Sequence, residues 1–288
     1  MTTHCTKRRM KIKRLGRRNV EADFDGGQMT SDAGALLLGK VESSAEATAP
    51  AKADERLNLL GRFASCFTDH RDPKLTEHSV PELVRQRVFG LALGYEDLND
   101  HDELSRDPLL AAVVGKADPT GQSRHRKRDK GRALAGKSTL NRVELTGEQV
   151  KPDNRYRKVT LDFAAVQRLF PELFMDSHET PPEVIVLDFD PTDDPLHGNQ
   201  EGRFFLGYYR EYCYLPMYVF CGQHLLAAEL RTADVDPGAG TIEILEPLVK
   251  QIRARWPDVT IILRGDSGFA REKTPAVARG YGGLNGLV

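Results

Sequence analysis

No run in the chain approaches the roughly 20 consecutive apolar residues that a membrane span requires, and the N-terminus has no apolar core of the kind a secretory signal carries. The expectation is a protein that stays in the cytoplasm without spanning a membrane. Cysteine is scarce. Cys5, Cys66, Cys213 and Cys221 show no CxxC spacing, so neither a zinc site nor a disulfide framework follows, and they read as reduced intracellular thiols. Net charge is nearly absent as well, at −1 over 288 residues. What remains is an ordinary globular balance, 40% hydrophobic and 29% charged, in a chain long enough for about two domains.

The small net charge hides a strong segregation. Met1–Val20 holds Lys7, Arg8, Arg9, Lys11, Lys13, Arg14, Arg17 and Arg18 and no acid. Such an arm suits phosphate contacts, a solubilising tail or a transit peptide. A second basic run passes through Arg124, Arg126, Lys127, Arg128, Lys130 and Arg132, opposed by Asp129 alone. It reads as either a solvated loop or a nucleic-acid contact.

Between these clusters the pattern is mainly helical. Thr30-Ser31-Asp32 offers caps for a helix through Leu38, Ser43–Ala53 is an Ala-rich joint, and Leu57–Phe67 reads as a helix. Ser79-Val80-Pro81-Glu82 is a strong helix start, and Gly94 ends that helix. Asp97–Asp107 reads as a capped, solvated helix, and neither its His101 nor His70 or His78 has metal-ligand spacing. Gly131–Ser138 matches GxxxxGK[ST]. A phosphate-cradling loop of that kind must follow a buried strand, and the charge run before it cannot be one. No nucleotide or organic cofactor site is therefore expected, and Ser138 and Thr139 are expected to cap a short helix.

The chemistry gathers downstream. Val184-Ile185-Val186-Leu187-Asp188-Phe189-Asp190 is a β-type apolar run that ends in carboxylates and meets a turn at Pro191. Period-two alternation puts Val184, Val186, Asp188 and Asp190 on one face. Two acids there are costly to bury unless a cation meets them. Val259–Leu263 is a second such run, and it leads through Arg264-Gly265 to Asp266. Between the two, Tyr212–Phe220 reads as a strand, Cys221-Gly222-Gln223 as a turn, His224–Leu230 as its hairpin partner, and Thr241–Arg255 as a helix closed by Trp256-Pro257. The order strand, strand, strand, helix, strand allows the last strand to lie parallel to the first, with Asp190 and Asp266 on one edge. Paired carboxylates are ligands that Mg²⁺ prefers, and two ions so held clamp the attacking and leaving oxygens of a phosphodiester.

Several blocks resemble the DDE transposases of bacterial insertion sequences, in the branch called transposase DDE domain, group one. They are Asp25-Gly26-Gly27 with Thr30–Gly34, Arg85–Phe89 with Gly94–Asp100, and Ser138–Arg142. The most specific is Leu187–Thr192 with His197-Gly198, Gln200–Gly202 and Gly207-Tyr208, and the last is Asp266–Phe269. The resemblance implies an α/β, ribonuclease-H-like catalytic domain after a mainly helical, DNA-binding N-terminal region. The divisions it suggests are 1–20, 21–180, 181–271 and a divergent tail at 272–288. It implies Asp190 and Asp266 as catalytic and metal-binding acids, Asp188 as an assisting ligand, and two Mg²⁺ or Mn²⁺ ions. It implies DNA, the terminal repeats of a transposon, as partner. Arg8, Arg9, Lys11, Lys13, Arg14, Arg17, Arg18, Arg124, Arg126, Lys127 and Arg128 are the residues expected to contact it, in a nucleoid-associated protein of bacterial cytoplasm that forms homo-oligomers as a candidate state.

One feature departs from the resemblance. Such enzymes carry a third acid, usually Glu, on a later helix. After Asp266 this sequence holds Glu272 as its only acid, six residues on, followed by a glycine-rich tail. The expectation is a truncated copy, weak or inactive in catalysis, without a fifth strand and with the strand before Asp266 left as an open edge. The alternative is a remnant that binds DNA without cutting it.

Overall fold

A computed structural model describes residues 10–15, 18–22, 57–147, 157–196, 198–208, 210–236, 238–265 and 284–287, the first two segments and the last as backbone alone. The chain divides into two compact units, Met1–Phe163 and Ala164–Val288.

In the first unit, β1 (Met10–Leu15) and β2 (Arg18–Ala22) pair as an antiparallel hairpin. The basic arm is therefore not a plain tail over this stretch. The helix expected over Leu57–Phe67 ends early, as α1 (Leu59–Ser65), and the chain turns into β3 (Phe67–Asp69). The aromatic Phe67 and the β-branched Thr68 favour the extended state, and β3 pairs antiparallel with β4 (Val159–Leu161). The first unit is thus mainly helical with two small two-stranded sheets among the described residues. The helix start at Ser79 is confirmed in α2 (Val80–Ala92), where Ser79 and Glu82 form a reciprocal capping box. Gly94 follows the helix with φ +91°, a conformation glycine adopts without steric penalty. Then come α3 (His101–Leu104), α4 (Pro108–Val114) and α5 (Lys137–Glu144). Asp107 caps α4 by accepting from the amides of Leu109 and Leu110 at 2.8 and 2.9 Å. The expected helix caps at Thr30 and the joint at Ser43 lie outside the described residues.

The second unit opens with α6 (Phe163–Asp176) and is built on a five-stranded sheet. In chain order its strands are β5 (Val184–Pro191), β9 (Met217–Cys221), β10 (His224–Glu229), β11 (Thr260–Gly265) and β12 (Leu284–Leu287), set side by side as β10-β9-β5-β11-β12. The β9–β10 hairpin turns at Gly222, φ +59°. α7 (Thr241–Arg255) carries the chain from β10 to β11, which lies parallel to β5 in continuous register from Thr260↔Val184 to Gly265↔Phe189. Ile185, Leu187 and Phe189 point into the core, where Leu245, Leu248, Val249 and Ile252 of α7 and Phe174 and Met175 of α6 meet them. The alternation is what the sequence predicts, with Val184 and Asp190 exposed on the opposite face.

Two expectations are corrected. Tyr212–Phe220 is not one strand. Pro216 has no amide hydrogen to give a ladder, and the chain divides there into β8 (Glu211–Tyr214) and β9. β8 belongs to a separate three-stranded sheet with β6 (Asp194–Pro195) and β7 (Phe204–Leu206), in the order β6-β8-β7. Nor is β11 an open edge, and the fifth strand expected to be missing is present. β12 pairs with it in parallel, Ile261↔Leu284 and Leu263↔Leu287, and satisfies backbone groups that an edge would leave open.

Leu187 is fully buried, whereas Val184 is 49% exposed on the same strand. Leu187→Ala is expected to lower stability by about 2–5 kcal/mol and Val184→Ala by less than about 1 kcal/mol. Urea unfolding followed by the fluorescence of Trp256, the single tryptophan and a member of this core, measures both.

Candidate functional site

The carboxylates at the end of β5 are positioned by strand register. Asp188 stands opposite Arg264 of β11, and the guanidinium grips both of its oxygens, Nε on Oδ1 and Nη2 on Oδ2 at 2.7 Å. This bidentate pair supplies the cation that buried or half-buried acids need, and it raises the Arg264 pKa. Asp190 lies two residues on, exposed, on the same face, with Tyr218 of β9 as its strand partner. No ion pair or hydrogen bond engages its carboxylate among the described residues. Gly265, the last described residue of β11, is the partner of Phe189, the residue before Asp190. Asp266 follows Gly265 and lies outside the described residues. No group of three or more potential metal ligands converges among the described residues.

A second candidate surface lies in the first unit. The loop after β3, the segment Arg124–Arg132, α5 and the residue before β4 enclose a cleft of about 550 Å³. Arg71, Arg124, Arg126 and Arg128 line it, joined by Arg132, Arg142 and Lys158, against the carboxylates of Asp72, Glu77 and Asp129. Lys127 is exposed but outside this lining. Arg124 has a structural duty as well. Its Nε lies 2.7 Å from Glu77 Oε1, and its Nη1 lies 3.1 Å from His78 Nε2. Of the expected arm residues, Lys11, Lys13 and Arg14 fall on β1 and Arg18 on β2. Arg8, Arg9 and Arg17 lie outside the described residues.

Buried polar groups hold the basic segment in place. Gln86 of α2 donates to the carbonyl of Ala135 at 2.7 Å and accepts from its amide at 2.9 Å. His101 Nδ1 lies 3.2 Å from Gln86 Nε2. Gly121, φ +66°, lets the segment fold back on itself. A Cβ there would sit 2.7 Å from the Ala133 nitrogen.

The GxxxxGK[ST] match is structurally a helix start without a preceding strand. Gly136, not Ser138 or Thr139, is the N-cap of α5. Lys137 Nζ is bound to Asn99 Oδ1 at 2.9 Å and lies 3.5 Å from Asp102. The acidic stretch before it is capped as expected, Asp97 accepting from the Asn99 amide at 2.8 Å, but it is not one solvated helix: a 3-10 turn at Leu98–Asp100 leads into α3, and His101, Leu104, Ser105 and Asp107 are buried.

Sequence reasoning missed Arg264, Arg71, Arg142 and Lys158. The first was legible, since it stands beside Asp266 and a cation was needed near Asp188. The other three reach the cleft only through tertiary folding; Arg142 lies in the Ser138–Arg142 block and Lys158 in the run Arg155–Lys158, but neither position shows which surface it faces.

A family model described as transposase DDE domain group 1 matches residues 12–280. The chain belongs to this family, a transposase family, which implies DNA as its partner and generally uses divalent metal ions. Comparison with curated proteins and with solved structures returned no match. No helix among the described residues is long and apolar enough to cross a membrane.

His78 yields a pH prediction. Burial, reinforced by Lys116 and Arg124, depresses its pKa to about 3, with Glu82 opposing. The unfolded chain protonates this imidazole near 6.5 and the folded chain does not, so stability is present above that value and declines as pH falls toward 3. The slope is about 1.4 kcal/mol per pH unit for one such group. The protection factors of the Val80–Ala92 amides, in which the intrinsic slowing of exchange by acid is divided out, are expected to fall accordingly between pH 6.5 and 5, and less steeply in His78→Asn.

Proposed function

We propose that the rim at the ends of β5 and β11 is the phosphoryl-transfer site of a DNA transposase, built on a ribonuclease-H-like sheet. The observation that carries this is the parallel, in-register pairing of β5 with β11 at the centre of the order β10-β9-β5-β11-β12. That pairing brings Asp190 and the chain segment leading to Asp266 to one edge, where ligands of open α/β sheets bind.

Oxygen ligands on an exposed rim suit Mg²⁺ or Mn²⁺, and the uncommitted carboxylate of Asp190 fits that donor set. In this reading Asp190 and Asp266 hold the metal, which when bound polarises the phosphodiester and activates the attacking oxygen. Asp188, expected to assist, has both oxygens engaged by Arg264. It acts by orienting the strand ends, leaving Asp190 as the ligand.

The basic cleft of the first unit, with Arg124, Arg126 and Arg128, and the arm residues Arg8, Arg9, Lys11, Lys13, Arg14, Arg17 and Arg18 would carry DNA through its phosphates. Lys127, exposed beside the cleft, would add to the same field.

Two measurements test this. Any Mg²⁺- or Mn²⁺-dependent cleavage of DNA bearing the element's ends is expected to disappear in Asp190→Ala with DNA affinity unchanged. Cleavage that persists in this variant rejects the assignment. For binding, the logarithm of affinity is expected to fall linearly with the logarithm of salt concentration. Replacing Arg126 and Arg128 by Gln should shallow that slope by about 1.8, roughly 0.9 for each phosphate that is no longer neutralised.

A further inference from the structure

We infer that the outward face of the β6-β8-β7 sheet is a stacking surface for unpaired DNA bases beside the Asp190 rim. This rests on the reading of that rim as a DNA-transfer site. The sheet has two unlike faces. On one, Leu206 and Cys213 pack with Leu215 and Ala233 into a small core of their own. On the other, Phe205 of β7 and Tyr212 of β8 form a cross-strand pair, their ring centroids 5.5 Å apart and edge to face. The guanidinium of Arg203 lies over the Tyr212 ring at 4.5 Å. It is held there by the Gly198 carbonyl and by Asn199 Oδ1 at 2.6 Å.

These rings are not needed for the small core, yet Phe205 is 57% and Tyr212 46% exposed. Aromatic side chains on a sheet surface, with a guanidinium plane among them, are what unpaired bases stack on. Asp194 of β6 shares this face, as the strand partner of Tyr214. A carboxylate there accepts from the amino group of a base and repels phosphate, which favours bases over backbone as the occupant. The sheet is joined to the rim through short stretches of chain. β6 begins four residues after Asp190, the Thr192 amide donates to the Pro216 carbonyl at 3.2 Å, and Tyr218 just beyond is the strand partner of Asp190. Its size argues against a second copy of the chain. The exposed parts of two rings offer about 200 Å², whereas a stable protein interface buries about 800 Å² on each partner.

The test uses the full chain and two DNA probes of one sequence, a blunt duplex and the same duplex with a single-stranded 3′ overhang containing 2-aminopurine. Wild-type protein is expected to bind the overhang probe more tightly and to quench its fluorescence. Phe205→Ala and Tyr212→Ala should each weaken overhang binding about tenfold and release the quench, with duplex affinity unchanged. Tyr212→Phe should restore both. Trp256 fluorescence, unchanged in all variants, excludes unfolding of the unit. Equal loss on both probes, or no loss on either, overturns the inference. So does a wild-type dimer in sedimentation that Phe205→Ala dissociates, since the face would then be an interface between copies. Asp190→Ala separates this from the parent reading. Its quench should persist, and cleavage that also persists rejects the rim while the stacking surface stands.

Discussion

The rim that carries Asp188 and Asp190 depends on one strand pairing, that of β5 with β11. Parallel strands whose side chains alternate faces leave no tolerance for slippage, because a shift of one residue turns every side chain over. A slip of β5 would bury Asp188 and Asp190 against α7 and expel Leu187 into water. The apolar side of the strand resists this, since Ile185, Leu187 and Phe189 all reach the core. The polar side resists it too, because Arg264 finds both oxygens of Asp188 only in the observed register. Core packing and a bidentate ion pair thus select the same alignment from opposite faces of one sheet.

Charge is divided between the two units. The second presents carboxylates at the end of its central strand, while the first lines a cleft with guanidinium groups. An overall net charge of −1 conceals both, which is why composition alone misleads about partners. Phosphodiester chemistry needs both kinds of surface, one to attract the polyanion and one to recruit cations to the bond being broken.

Where local pattern decides structure, the sequence was readable. Period-two alternation gave β5 its inner and outer faces, and the 3.6-residue period gave Thr241–Arg255 its helix. Ser79 and Glu82 announced α2 through capping chemistry that operates within four residues. Where distant segments decide, it was not. Pro216 signalled a break, but nothing in Tyr212–Phe220 said that its first part would leave for another sheet. Lys158 ends the short basic run Arg155-Tyr156-Arg157-Lys158 in the chain, and only the fold makes it a cleft residue. The pairing of β12 with β11 was hidden because four residues, two of them leucine, carry too little periodicity to declare a strand.

The double hydrogen bond from Gln86 to Ala135 has a further consequence. Both backbone groups of that residue are satisfied by a side chain from a helix far earlier in sequence, so the segment before it is anchored at a fixed point. An anchored segment has little backbone entropy left to lose, so only the rotamer entropy of its exposed arginines remains to be spent in any contact they make. Substitution of the exposed Arg126 and Arg128 therefore leaves the support beneath them in place, whereas Arg124, paired with Glu77, is part of that support.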